Sequence, residues 1–139
     1  MRKLAGMLIF AAFLAGCESG DTAQRAASPE LRRQQNVAFQ AMLAQPGNLE
    51  LTFAYAGAAT RAGDYETAVA AYEGVLMTDS NQPRVKLELG ILYFRLKSYE
   101  MSRTYLEAGL QSTALSADVR NPAEELLAKM PTQSRTGRS

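Results

Sequence analysis

The sequence predicts an all-α protein: an α-solenoid of helix–turn–helix units, about six helices in all, behind a short apolar leader that is cleaved off. Three observations predict it. The chain aligns with itself at a shift of 34 residues. Apolar residues recur at helical spacing through most of residues 29–130. Helix starts and stops such as Ser28-Pro29-Glu30 and Pro46-Gly47-Asn48 punctuate that stretch.

The chain opens with a positive Met1-Arg2-Lys3, followed by LAGMLIFAAFL over residues 4–14 without a charge. That run is about half of the roughly 20 apolar residues a membrane-spanning helix needs, and it has the form of a signal peptide over residues 1–16. Its last residues, Leu14-Ala15-Gly16-Cys17, resemble the lipobox of bacterial lipoproteins. The resemblance implies cleavage between Gly16 and Cys17, a diacylglyceryl group on the Cys17 thiol and an acyl chain on the new amino terminus. Each buried methylene contributes about 0.8 kcal/mol, so two or three chains anchor a protein where one does not. The rival reading is an ordinary secretory leader with a cysteine there by chance. In bacteria that sort lipoproteins by the next residue, Glu18 favours the outer membrane facing the periplasm, with the inner membrane as the alternative. Residues 17–28 are small, polar and aperiodic, as expected of a flexible tether.

The first helix is expected over residues 29–45, with Ser28 as N-cap and Pro29 in the first turn. It carries Leu31, Val37, Phe39, Met42 and Leu43 before Pro46-Gly47-Asn48 ends it. The two full units follow at 49–82 and 83–116. Gly63-Asp64-Tyr65 falls on Lys97-Ser98-Tyr99, Ala56 on Gly90, Ala68 on Ser102, Tyr55 on Leu89 and Leu76 on Leu110. Period and residues together resemble the tetratricopeptide repeat, in which helices A and B form each unit. In such a unit Ala56 and Gly90 admit a close neighbour, and Tyr65 and Tyr99 fill the space beyond the turn. Ala68 and Ser102 sit at the tight A–B contact, while Tyr72 or Leu106, with Leu76 or Leu110, forms the apolar stripe of helix B. The second unit departs from the pattern at Lys97, where glycine is usual, and at Ser102, where alanine is usual. Met42 aligns with Leu76, which makes the first helix a lone B helix.

A last capping helix is expected over residues 117–130, with Val119, Leu126 and Leu127 covering the second unit. Its Pro122 argues for a start near Asn121 or a kink. Residues 131–139 read as a disordered tail. The run from Leu89 to Met130 is also similar to repeat modules that precede an outer-membrane barrel in some surface-assembly proteins. That resemblance implies a free-standing or truncated module of that kind.

Composition narrows the function. At 47% hydrophobic and 21% charged, the 139-residue chain fits one globular domain. Its 15 basic and 14 acidic residues give a net charge of +1, with no excess to neutralise nucleic-acid phosphates. With no histidine and one cysteine, the commonest general base and metal ligand are missing and no internal disulfide is available. Glu124 and Glu125 are adjacent and do not face one another on a helix. The chain is therefore expected to be neither an enzyme nor a metal protein, and to use no cofactor beyond the lipid on Cys17.

The repeat resemblance implies partner binding on the concave face of the A helices. Its usual positions fall on Phe53, Gly57, Thr60 and Arg61, and on Arg84, Leu87, Glu88, Ile91, Phe94 and Arg95. Three arginines beside these apolar residues suit an extended peptide with acidic or C-terminal carboxylate groups. The competing reading is solvated arginines above core aromatics. The family's carboxylate clamp of lysines and asparagines is absent. The expected function is a lipid-anchored periplasmic adaptor that holds a protein partner in envelope assembly, such as pilus or secretin biogenesis, barrel assembly or polysaccharide export. An envelope-enzyme accessory and a structural spacer are the alternatives.

Overall fold

The computed structural model describes residues 27–130. The leader, Leu14-Ala15-Gly16-Cys17, most of the tether and the tail over residues 131–139 lie outside the described residues. Six helices make up the rest: α1 Pro29–Ala44, α2 Leu49–Ala62, α3 Tyr65–Thr78, α4 Pro83–Arg95, α5 Tyr99–Leu110 and α6 Ala117–Lys129. Each packs on the next, and α6 touches both α4 and α5.

Local chemistry sets the ends. The Ser28, Asn48 and Asp64 side chains accept hydrogen bonds from the backbone N–H groups of Leu31, Leu51 and Thr67, satisfying donors that an open helix end leaves unpaired. Pro29 and Pro83 occupy first turns, where no partner is lost. At the A–B turn of the first unit Gly63 takes φ +79°, as a left-handed helix stop requires. Lys97, its equivalent, is held at φ +61°, a conformation that costs a side-chain-bearing residue about 1–2 kcal/mol. Backbone hydrogen bonds that close the end of α4, from Lys97 N–H to the Phe94 carbonyl at 3.0 Å and from Ser98 N–H to the Tyr93 carbonyl at 2.9 Å, accompany this turn.

Helix α6 runs Ala117–Lys129, the span expected of the last helix to within one residue, and Pro122 lies inside it rather than marking a later start near Asn121. The amide that Pro122 lacks would have bonded the carbonyl of residue 118, which sits in the first turn of an exposed helix and can turn to water. Arg120 anchors this start from the other side. Its guanidinium donates to the Leu110 carbonyl at 3.2 Å and the Ser112 carbonyl at 2.6 Å.

Two apolar clusters share α4. Val85, Leu89 and Leu92 join Ala56, Ala59, Ala68, Val69 and Tyr72 between α2, α3 and α4. Leu87 joins Leu106, Ala123 and Met130 between α4, α5 and α6. Tyr93 ties three helices together: its hydroxyl donates to Glu73 at 2.6 Å and its ring stacks on Tyr105 with centroids 5.5 Å apart.

The closest approach in the fold lies between α4 and α5. A Cβ on Gly90 would stand 2.5 Å from the Leu106 side chain and 3.0 Å from its backbone nitrogen. One on Gly109 would collide with Leu87 and lie 2.9 Å from the Pro83 carbonyl. Ser102, fully buried, donates from its hydroxyl to the Gly90 carbonyl at 2.7 Å. Serine in place of the usual alanine thus brings its own partner, as a buried hydroxyl must.

Gly90→Ala is expected to destabilise the fold by about 1–3 kcal/mol through overpacking, despite alanine's better helix propensity. Gly74, mid-helix in α3 with nothing within 4 Å of its Cβ position, is the control. There the same change should stabilise by roughly 0.5–1 kcal/mol. Urea unfolding of both variants checks the pair.

Candidate functional site: the A-helix face

Helices α2, α4 and α6 start at Leu49, Pro83 and Ala117, and α3 and α5 at Tyr65 and Tyr99. Each step is 34 residues, so α6 has the phase of an A helix and α1 that of a B helix. The face formed by α2, α4 and α6 carries the residues that the repeat pattern assigns to partner binding.

Phe53 of α2 is half-buried, 5.3 Å from the Tyr72 ring and tilted against it. The Arg84 guanidinium of α4 lies 4.2 Å above its centroid. A cation over a ring at such a site contributes about 0.5–1 kcal/mol and leaves the edge of the guanidinium free to donate. Glu88 stands one turn further along α4 and is half-buried. Burial pushes its carboxyl above the ordinary glutamate range, and Arg84 opposes the shift. Burial, with Glu88 adding to it, also raises the Tyr72 phenol.

Further along, Ile91 and Phe94 lean on the Leu87–Leu106 cluster, with the Phe94 ring edge-on to Tyr99 at 5.5 Å. Arg95 reaches over the Tyr65 ring at 5.7 Å, across to the turn that follows α2. Arg61 is exposed, and its guanidinium lies back along its own helix, 3.5 Å from where a Cβ on Gly57 would be. Thr60 points its hydroxyl inward, donating to the Ala56 carbonyl at 2.8 Å.

One expected groove residue is corrected. Leu87 is 1% exposed and belongs to the core. The missing side chain of Gly109 lets α5 close on it from one side, and α6 covers it from the other. Phe53, Arg84, Glu88, Ile91, Phe94 and Arg95 do share one face, with Arg61 at its α2 end.

A residue missed from the sequence joins them. Lys129 ends α6 as Arg61 ends α2 and Arg95 ends α4, and the 34-residue spacing from Arg95 was the available signal. Beside Arg61 opens a cleft of about 1090 Å³ between α1 and the α2–α3 turn, lined by Leu31, Arg32, Gln35 and Asp64 among others. Gln35 donates to Asp64 at 2.9 Å. Burial would raise the Asp64 carboxyl, but the bonds from Gln35 and Thr67 outweigh it and leave it below its ordinary value.

The chemistry of this face is that of contact. Apolar and aromatic floor alternates with guanidinium donors. Among the described residues no group of three metal-ligating side chains comes together.

The Glu88 shift has a testable sign. Its folded-state pKa lies above the ordinary 4.5, so Glu88 weakens the fold increasingly as pH rises through that window, and fully at neutrality. Glu88→Gln is expected to raise the Tm at neutral pH and to leave it unchanged near pH 3. Thermal melts at both pH values check this, and a lower Tm for the variant at neutral pH contradicts it.

A tetratricopeptide repeat family model matches residues 59–130. No curated protein matches the chain. The matched span runs from the second half of α2 through α6 and takes in the close α4–α5 contact, so sequence and architecture converge: the chain belongs to the tetratricopeptide repeat family.

Proposed function

We propose that the chain is a lipid-anchored adaptor that holds an extended segment of a protein partner across its A-helix face during cell-envelope assembly. Tetratricopeptide repeats are typically non-catalytic protein-interaction modules. The observation that carries the proposal is the surface on α2 and α4, where Phe53, Ile91 and Phe94 remain partly open to solvent. Arg84 and Arg95 lie over aromatic rings there. Neither forms an ion pair among the described residues.

Anchoring rests on the residue string Leu14-Ala15-Gly16-Cys17 behind the apolar leader. Lipid on Cys17 would tie the domain to the membrane through the tether, and Glu18 favours the outer membrane, facing the periplasm. No helix among the described residues is long and apolar enough to cross a membrane. The reading requires no metal, nucleic acid or diffusible cofactor. Pilus or secretin biogenesis, barrel assembly and polysaccharide export are the kinds of assembly that such lipoproteins serve.

Photoreactive residues placed at Arg61, Ile91 and Arg95 in cells, followed by mass spectrometry of the envelope fraction, test both halves. One dominant crosslinked protein is expected, with Cys17→Ser leaving an uncleaved, unlipidated precursor. A diffuse pattern removes the adaptor reading, and normal processing of Cys17→Ser removes the anchor.

A further inference from the structure

An acid stands among the arginines of the A-helix face. Glu88 lies one turn beyond Arg84 on the same stripe of α4, yet the two form no ion pair. The Arg84 guanidinium is turned instead onto the Phe53 ring, 4.2 Å from its centroid. Phe53 in turn lies against the Tyr72 ring with centroids 5.3 Å apart. These contacts gather Phe53 of α2, Tyr72 of α3 and Arg84 and Glu88 of α4 into one cluster.

Two polar groups of the cluster have no protein partner among the described residues. The Tyr72 side chain belongs to the core at 4% exposure, and its hydroxyl bonds nothing. The half-buried Glu88 carboxylate accepts no hydrogen bond and pairs with no cation. Among the described residues no fully enclosed side-chain oxygen lacks a partner, so both groups reach solvent through the little surface they keep. They are near enough for the Glu88 charge to raise the Tyr72 phenol.

A partly desolvated carboxylate without a donor costs stability. Glutamine in its place would avoid most of that cost. Such local conflicts mark surfaces where recognition outweighs stability. What the pair lacks is a positively charged donor, and Arg84 does not supply it while it covers Phe53. A lysine ammonium matches the vacancy in charge and in bonding. It is compact, and its three N–H donors can reach the carboxylate and the phenol oxygen together. The lysine stem then lies along Ile91, one turn beyond Glu88, as long charged side chains lie on apolar surface.

Resting on the adaptor reading, we propose that Glu88 and Tyr72 form a socket for the ammonium group of a lysine in the partner segment. The lysine neutralises the one unpaired carboxylate of the cluster, and Arg84 over Phe53 forms the socket's wall.

Fluorescence anisotropy of the full chain, purified in a non-ionic detergent, tests the socket with three short labelled peptides of leucine, serine and glycine. They differ only at the central residue, which is lysine, Nε-acetyl-lysine or glutamate. The lysine peptide is expected to bind roughly five- to tenfold more tightly than the acetylated one, the size of a charge-assisted bond at a half-buried site. Glu88→Gln, which the fold tolerates, should abolish that preference. Tyr72→Phe keeps the ring against Phe53 and should reduce the preference roughly two- to threefold. A role for Glu88 in packing alone would leave the ratio of lysine to acetyl-lysine binding unmoved. Equal binding of the lysine and acetyl-lysine peptides, no binding by either, or a lysine preference that survives Glu88→Gln overturns the proposal. Crosslinking at Ile91 that captures one partner whose bound segment has no lysine at Glu88 leaves the adaptor reading standing and removes the socket. A diffuse crosslinking pattern beside a Glu88-dependent lysine preference removes the adaptor reading and leaves the socket.

Discussion

The contact on which the rest of the structure depends is the close approach of α4 and α5. Two glycines make it. Gly90 gives its missing side-chain volume to Leu106, and Gly109 gives its own to Leu87. Between them the Ser102 hydroxyl bonds the Gly90 carbonyl in a fully buried position. Close-packed interiors tolerate neither a void nor an extra methylene at such a seam, so the relative placement of the two helices is set within narrow limits. Helix α6 then has a defined surface to cover, with Ala123 and Met130 seated on Leu87 and Leu106. On the other side α4 presents Val85, Leu89 and Leu92 to the first unit. One helix thereby joins both clusters, and its outward face, with Arg84, Glu88, Ile91 and Arg95, is held at a fixed angle to α2.

That arrangement explains how a small all-helical chain can display a composite surface. Phe53 comes from one unit and Arg84 from the next, yet they meet at 4.2 Å. No single helix hairpin contains the pair, so the surface exists only when the units stack in register. The chemistry of the face is aromatic, aliphatic and cationic, with one half-buried carboxylate at Glu88. Under the proposed adaptor function, such a mixture would meet a protein chain through contact and charge.

Much of this was legible in the residues. A 34-residue period leaves the same side chains at the same structural positions, so Ala56 and Gly90, or Ala68 and Ser102, could be placed at helix contacts before any coordinates. Helix α1 ends one residue short of its expected limit, and Ser28 caps it as its place before Pro29 predicts. What escaped depended on tertiary neighbours. Leu87 occupies a groove position by register, but the glycine that lets α5 close on it lies 22 residues away in the chain. The α6 start at Ala117 was legible, but Pro122 pulled the other way; one lost hydrogen bond in an exposed first turn is offset by Arg120 holding the α5–α6 loop. Lys129 follows from phase alone: α6, which caps the second unit, also starts 34 residues after α4, so its last-turn lysine stands at the position of Arg95. Lys97 takes the left-handed backbone of the turn, closed by Ser98 N–H bonding the Tyr93 carbonyl, although its side chain disfavours that conformation.

Amide hydrogen exchange, resolved helix by helix on the full chain, tests most directly the claim that the α4–α5 seam organises the fold. Helices packed on both sides open only with the whole domain, and those with one neighbour open locally. The account predicts that α4 and α5 exchange most slowly and together, while α1, which among the described helices contacts only α2, exchanges fastest. Slower exchange in α2 and α3 than in α4 and α5, or early opening of α5 alone, would contradict it.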